Sequence, residues 1–255
     1  MQKWGFFMID THCHVYGSEM ENAENIIMKA KQMGIELILN GTDPSSNREV
    51  LELAERHDNI HAALGYFYTL ADTVGEEDIA LLDRQLENDN VIAVGEIGLD
   101  YYHGKDDRES QIRLFERMLE LAESHGLPVI VHSRNASQDT YDILKRHGVE
   151  GSLHCYQGSP EMAREFVKLG FYIGIGGTIT YAGSKKIKRT AREADISRLL
   201  VETDSPYLSP EKKRGEINTP FNLRCITGKL AEELEMKEED IIRITDENAK
   251  RLFGI

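Results

Sequence analysis

The sequence predicts a single-domain α/β protein, a TIM (β/α)8 barrel that extends over residues 1–255. Eight short apolar runs alternate with amphipathic segments, and 255 residues is a usual length for such a barrel. Strands that are separated by helices pair in parallel, and eight of them favour a closed barrel over an open doubly wound sheet. An open sheet usually has a glycine-rich phosphate turn after its first strand, where this chain has "HCHVYG" (12–17).

Apolar runs mark the strands, and helical periodicity marks the segments between them. The predicted strands are residues 7–12, 36–41, 60–65, 91–97, 128–133, 151–156, 171–176 and 199–204. Apolar residues at helical spacing predict inner helix faces. These faces are Ile26, Ala30 and Met33; Ile112, Phe115, Leu119 and Ala122; and Leu223, Ile226, Leu230 and Leu234. Thr219 and Pro220 are interpreted as the N-cap and first residue of the last of these helices, and a short helix near 245–253 ends the chain.

Composition and charge limit the functional class. A net charge of −14 argues against nucleic-acid binding over the whole surface, although it permits a local basic site. Three cysteines without C-x-x-C spacing indicate a reducing compartment. No run is long enough to span a membrane, and "FFMI" (6–9) does not make a signal peptide. We therefore expect a cytoplasmic protein with no membrane contact and no obligate protein partner, and we interpret residues 1–7 as an extension before "MIDTHCH".

Polar side chains end five of the predicted strands. The active site of a TIM barrel lies at the C-terminal ends of its strands, so these side chains meet at one face. Strand alternation places His12 and His14 on the same side of the first strand. The six candidate metal ligands are His12, His14, Glu96, His132, His154 and Asp204. Six ligands exceed one tetrahedral centre and suit two metals that share a carboxylate.

Glu96 is the predicted bridge, since strand four lies between strand one and strands five and six. One metal is assigned to His12, His14 and Asp204. The other metal is assigned to His132 and His154. Glu202 shares a strand face with Asp204 but lies one layer deeper, so it is predicted to orient a ligand, with a purely structural buried carboxylate as the alternative.

The order of the motifs resembles the TatD family of metal-dependent deoxyribonucleases, within the amidohydrolase superfamily. The matching motifs are "DTHCH" (10–14), "GEIGLDYY" (95–102), "PVIVHSR" (128–134), "HCYQGS" (154–159), "GFYIGIGG" (170–177), "LLVETDSPYL" (199–208) and "RGEINTP" (214–220). One departure is Tyr156, where the family commonly has Phe. The resemblance implies a TIM barrel, a divalent-metal site on the six residues named above, and hydrolase activity toward DNA ends.

The predicted reaction is hydrolysis of a phosphodiester by a water that two divalent metals activate, with Mg, Mn or Zn as candidates. Asp204 is the candidate general base, and Glu96 is the second catalytic residue. We expect a DNA exonuclease that shortens a single-stranded end from 3′ to 5′. The sequence leaves RNA and an aminoacyl-tRNA ester open as substrates.

Basic residues that follow strands seven and eight predict a cationic rim. The segment "SKKIKRTAR" (184–192) contains five cations and no acid, and "EKKRG" (211–215) follows the last strand. The candidate substrate contacts are Lys185, Lys186, Arg189, Arg214, the deeper Arg134, and His103. The alternatives are a solvated face balanced by neighbouring acids, and for Arg134 an ion pair with Glu202 or Asp100. Nearby aromatic residues could stack a splayed base.

Two other functions remain compatible with the sequence. A related binuclear enzyme could hydrolyse a small-molecule ester, lactone or phosphoester. Many such sites bridge their metals with a carboxylated lysine on strand four, whereas this chain has Glu96 there. A metal-binding scaffold that acts through a partner is the second alternative, although no ligand is missing from the set.

Overall fold

The protein is an eight-stranded parallel barrel surrounded by helices, in agreement with the prediction. The structure is a computed structural model that describes residues 7–104 and 107–255, so the expected N-terminal extension lies outside the described residues except for Phe7. Neighbouring strands follow sequence order from β1 to β8. The strands are β1 (Met8–Cys13), β2 (Ile35–Asn40), β3 (Ile60–Leu64), β4 (Val91–Asp100), β5 (Val129–Arg134), β6 (Gly151–Leu153), β7 (Tyr172–Ile175) and β8 (Leu199–Val201).

Helices follow or precede the strands in the order that a TIM barrel requires. They are α1 (Ala23–Gln32), α2 (Pro44–Arg56), α3 (Glu76–Gln85), α4 (Arg108–His125), α5 (Ser137–Leu144), α6 (Pro160–Lys168), α7 (Lys185–Glu193), α8 (Leu223–Leu234) and α9 (Glu238–Phe253). Within the described ranges, no helix combines the length and the hydropathy that a bilayer span needs.

Three details of the helix predictions are wrong. The inner face of α1 is formed by Ala23, Ile27 and Ala30, whereas Met33 ends the helix and is exposed. Pro220 begins a single 3-10 turn, so α8 starts three residues later. The last helix, α9, begins at Glu238 rather than near 245, because its first turn is polar and lacks the apolar residues that mark a buried face.

An apolar layer fills the barrel, and α9 covers its N-terminal end. The layer takes one side chain from each of seven strands: Ile9, Ile38, Ala63, Ala93, Ile130, Tyr172 and Leu200. Leu252 and Phe253 of α9 pack against this layer. Two hydrogen bonds fix the helix there: Ile9 donates its N–H to Asp246 Oδ1 (3.1 Å), and the Asn248 amide donates to the carbonyl of Leu199 (2.8 Å).

Backbone hydrogen bonds join the ends of the sheet at the opposite, C-terminal mouth. Asp204 donates its N–H to the carbonyl of His12 (2.9 Å), and His14 donates its N–H to the carbonyl of Ser205 (2.6 Å). The residues after β8 therefore extend the pairing beyond the strand itself. This closure brings candidate ligands from the two ends of the chain side by side.

The buried carboxyl of Asp246 predicts how stability depends on pH. Burial raises its pKa to about 7. Between about pH 4 and pH 7, the Asp246 carboxyl keeps its proton in the folded protein but releases it in the unfolded chain. The contribution of Asp246 to the free energy of unfolding is therefore largest at low pH and is lost as pH rises through 7. We expect Asp246→Asn to remove this loss and to gain on the order of 2 kcal/mol over wild type between pH 4 and pH 8.

Urea denaturation of both proteins at several pH values measures the difference in free energy of unfolding. Glu247→Gln, an exposed neighbour on the same helix, is the matched control and should leave the pH dependence as in wild type. A constant difference between Asp246→Asn and wild type from pH 4 to pH 8 would contradict the assignment.

Candidate metal centre

Glu96 lies among four histidines at the C-terminal mouth of the barrel. Its Oε2 is 3.5 Å from His12 Nε2 and 3.3 Å from His14 Nε2. Its Oε1 is 3.2 Å from His132 Nδ1 and 2.9 Å from His154 Nε2. Each carboxylate oxygen therefore faces one pair of histidines.

Asp204 joins the histidine pair of β1. Its Oδ1 lies 3.5 Å from His12 Nε2 and 3.7 Å from His14 Nε2. The backbone of Asp204 is left-handed, with φ of 57°, a conformation that Asp adopts more readily than most residues. The structure thus brings all six candidate ligands together at one mouth of the barrel, while His12 also lies within reach of Glu96 and His154 of the other assigned group.

The spacing and chemistry of these groups suit divalent ions. The ligand atoms of His12, His14 and Asp204 all lie within 4.8 Å of one another, and so do those of His12, Glu96 and His154. A metal at about 2.0–2.2 Å from each ligand would hold neighbouring ligand atoms about 3.2–3.6 Å apart. Imidazole and carboxylate donors serve Zn, Mn and related ions, so the residues fit such a group.

Mutual charge interactions set the protonation of the cluster. Burial opposes ionisation of Glu96, but the positive charge of His154 and hydrogen bonds from the other histidines outweigh it and hold its pKa well below its usual value. Burial also opposes protonation of His14 and His132, yet Glu96 and a second carboxylate raise each pKa to about 9. Burial and the charge of His154 lower the pKa of His12. A divalent ion would displace protons from this cluster.

A family model described as TatD related DNase matches residues 9–254. The chain belongs to the TatD family. This confirms the resemblance inferred from the motifs, and the chain is a metal-dependent hydrolase of the family.

Relatives of the TatD family match over their whole length. The metal-dependent hydrolase YabD of Bacillus subtilis is 38% identical, with 97% of this chain and 99% of YabD covered. The metal-dependent hydrolase YcfH of Escherichia coli is 32% identical, with 98% and 96% covered. The crystal structure of YjjV, a TatD homologue from Escherichia coli, superimposes with a TM-score of 0.91 at 32% identity, over 97% of this chain and 98% of YjjV.

Asp100 supports the TatD site from behind His132, and the sequence analysis did not assign it this role. Its Oδ2 lies 3.1 Å from His132 Nε2, while Nδ1 of the same ring faces Glu96. Backbone N–H groups of Tyr102 and His103 donate to the other oxygen, Oδ1. A carboxylate behind a histidine fixes the tautomer and orientation of a metal ligand. The sequence signal for this role of Asp100 was its position at the end of β4, beside Arg134 of β5.

The ring of His14 is oriented by a backbone carbonyl. Its Nδ1 is 2.8 Å from the carbonyl oxygen of Asn40, at the end of β2. A carbonyl only accepts, so Nδ1 carries the hydrogen and Nε2 is left to face Glu96 and Asp204.

Glu202 holds the backbone beside a candidate ligand rather than the ligand itself. Its Oε1 is 4.0 Å from His154 Nδ1, which is beyond hydrogen-bond reach. The carboxylate instead accepts the backbone N–H of Cys155 and the hydroxyl of Thr11 (3.1 Å). Burial raises the pKa of Glu202 to about 7. Glu202 therefore forms no hydrogen bond to a candidate ligand, and both its predicted orienting role and the alternative of a structural buried carboxylate stay open.

A cavity of about 940 Å³ opens beside the metal centre. His132, His154 and Asp204 lie in its wall. Of the six predicted substrate contacts, two also lie there, Arg134 and Lys186. The Arg134 guanidinium is 4.2 Å from the centre of the Tyr102 ring, rather than paired with Glu202 or Asp100.

The other four predicted substrate contacts lie outside the lining of this cavity. Arg189 pairs with Glu161 (2.7 Å) and Glu193 (2.6 Å), so its charge is already neutralised. The guanidinium of Arg214 lies over the ring of Tyr181. His103 hydrogen-bonds Asp100 (3.0 Å), and Lys185 is exposed at the start of α7.

The contact between Asp100 and His132 predicts a loss of metal affinity in Asp100→Asn. Asn has one accepting oxygen, which the backbone N–H groups occupy, so its amide nitrogen would meet His132 Nε2. We expect the affinity for Mn²⁺ or Zn²⁺ to fall about 10- to 100-fold. Isothermal titration of protein stripped of metal measures this change.

His103→Ala is the matched control, because it removes another side chain that hydrogen-bonds the Asp100 carboxylate and leaves His132 untouched. Its affinity should stay close to that of wild type. Equal metal binding by Asp100→Asn and wild type would show that Asp100 does not position a ligand.

Proposed function

We propose that this protein is a deoxyribonuclease that uses two divalent ions to hydrolyse phosphodiester bonds at a single-stranded DNA end, from 3′ to 5′. The observation that carries the proposal is the position of Glu96, with a histidine pair at each of its oxygens. A shared carboxylate between two ligand groups is the architecture of two-metal phosphodiester hydrolysis. The matching family model is that of a DNase.

The chain's own residues supply the proton chemistry. Bound divalent ions would lower the pKa of coordinated water and neutralise charge on phosphoryl oxygens. Asp204 is placed to accept the proton of the attacking water. Its carboxylate is buried at the mouth of the barrel, with Oδ1 3.5 Å from His12 Nε2. Glu96 would supply the negative charge between the ions.

Two unpaired cations support an anionic substrate. Arg134 and Lys186 line the cavity, and within the described ranges neither forms an ion pair. Several cations on the outer helices are paired with acids, as Arg164 is with Glu193 and Arg192 with Glu233. With a net charge of −14, cations left free beside the metal centre favour a phosphate backbone as ligand.

Removal of either proposed catalytic carboxylate is expected to abolish nuclease activity. Glu96→Gln removes the charge between the ions, and Asp204→Asn removes the base, so each should lower kcat by about 10³-fold or more. A single-stranded oligonucleotide labelled at either end is incubated with stripped protein to which Mg²⁺, Mn²⁺ or Zn²⁺ is returned. Stepwise shortening from the 3′ end is the expected product pattern.

Glu120→Gln, an exposed carboxylate of α4 that pairs with Arg117, controls for loss of negative charge and should keep wild-type rates. Absence of cleavage with every metal, while two equivalents still bind, would overturn the nuclease proposal. Hydrolysis of a lactone, ester or phosphotriester by the same preparation would then favour the small-molecule alternative.

Charge reversal at Lys186 tests the proposed phosphate contact. We expect Lys186→Glu to raise KM for DNA several-fold and to reduce the slope of log KM against log salt by about one. Steady-state kinetics between 50 and 200 mM KCl measure both effects. Lys168→Glu, at the far end of α6, changes the net charge equally and should leave the slope unaltered. Equal slopes for Lys186→Glu and Lys168→Glu would refute the contact.

A further inference from the structure

Two tyrosine rings stand exposed in the wall of the metal cavity. Tyr102 follows β4 and Tyr207 follows β8, and the residues are 54% and 49% exposed. Both line the same cavity as His132 and Asp204. In a barrel with strands in the order β1 to β8, three strands separate β4 from β8 in either direction. The two rings therefore stand on opposite walls, with the metal centre between them.

Tyr207 is held rigidly beside the centre. Its N–H donates to the carbonyl of Asp204 (2.7 Å), and its own carbonyl accepts from the Asn218 amide (2.7 Å). Its hydroxyl donates to the carboxylate of Glu19. The ring centre lies 5.9 Å from that of His14. Because the hydroxyl already has a partner, the group that Tyr207 offers to the cavity is the flat surface of its ring.

Tyr102 is fixed in a comparable way on the other wall. Its N–H donates to Asp100 Oδ1 (2.8 Å), and the edge of the His103 ring packs against it. The guanidinium of Arg134 stacks over the ring at 4.2 Å. The guanidinium covers part of this face of the ring, so a base at this wall would stack on the guanidinium plane and on the part of the ring that stays exposed.

Among the exposed large apolar side chains, these two rings are set apart by where they lie. The described residues include seven large apolar side chains that are exposed: Phe7, Met28, Met33, Tyr102, Tyr207, Ile217 and Met236. Of these, the two tyrosines are the ones that line the cavity. Every nucleobase has a flat π surface that stacks on such a ring, whatever its sequence.

We propose that Tyr207 and Tyr102 are stacking platforms for the bases on either side of the scissile phosphodiester, so that the site selects nucleotides whose bases have left the helical stack. The inference rests on the proposed nuclease function and assigns the substrate specificity of that site. Bases in a duplex are stacked on their neighbours and cannot lie on the two rings. Single-stranded ends are therefore the preferred substrate.

A double-mutant cycle between protein and substrate tests the contact. kcat/KM is measured for wild type and Tyr207→Ala, each on an intact single-stranded oligonucleotide and on two others that carry one abasic residue, at the last or at the penultimate position. Wild type should lose about 10- to 100-fold on each abasic oligonucleotide, and Tyr207→Ala about as much on the intact one. For one of the two abasic positions, that of the base on Tyr207, the losses should not multiply when combined, because each change removes the same stacking contact.

Two variants serve as controls. Tyr207→Phe keeps the ring and should retain most of the preference for the intact oligonucleotide. Ile217→Ala removes an exposed apolar side chain from the same connection, away from the cavity lining, and should show the wild-type preference. Tyr102→Ala repeats the cycle on the opposite wall, so the test remains available if Tyr207→Ala fails to fold.

A binding measurement separates this inference from the proposed function. The holoenzyme is titrated with an oligonucleotide that carries 2-aminopurine at its end and slowly hydrolysed phosphorothioate linkages. Stacking on Tyr207 should quench the fluorescence, and Tyr207→Ala should relieve the quenching. Quenching without cleavage of any DNA would overturn the nuclease proposal alone. Cleavage without quenching, or losses that multiply at both abasic positions, would overturn the stacking platforms alone.

Discussion

A single buried carboxylate, Glu96, organises the functional end of this barrel. A charge in the interior needs partners, and Glu96 has four imidazoles that approach from three other strands. Its negative charge raises the pKa of His14 and His132, and the histidines in turn lower its own. The cluster is thus a set of mutually dependent charges. Divalent ions could replace its protons without any large change in shape.

The same contacts close the barrel and assemble the site. The backbone bonds between Asp204 and His12 join the end of the sheet to its beginning. Behind them, the buried carboxyl of Asp10 accepts the N–H (2.8 Å) and the hydroxyl (2.5 Å) of Thr203. Burial raises the pKa of Asp10 to about 8. Asp204 and His12 are therefore both candidate ligands and partners in the backbone hydrogen bond that closes the barrel. Fold stability and ligand geometry are coupled for this reason.

Charge is distributed unevenly between the outer surface and the cavity. The helices that surround the barrel carry acids in excess, and their arginines are largely engaged with those acids, as Arg189 is with Glu193. Arg134 instead lies over an aromatic ring, and Lys186 projects at the rim without a carboxylate partner within the described residues. Under the proposed function, a phosphate backbone would meet these two cations beside the metal centre.

The sequence by itself determined the barrel, its eight strands and the mouth at which the six candidate ligands meet, because strand periodicity and the position of each ligand at a strand end are local features. Tertiary structure decided what depends on neighbours distant in the chain. Asp100 meets His132 only through the register of β4 against β5. Glu202 lies just after β8, which ends at Val201, so strand alternation does not predict where its side chain points. Its contact with the backbone N–H of Cys155 is visible only in the folded protein. Exposure of Tyr207 depends on loop hydrogen bonds that no sequence period encodes.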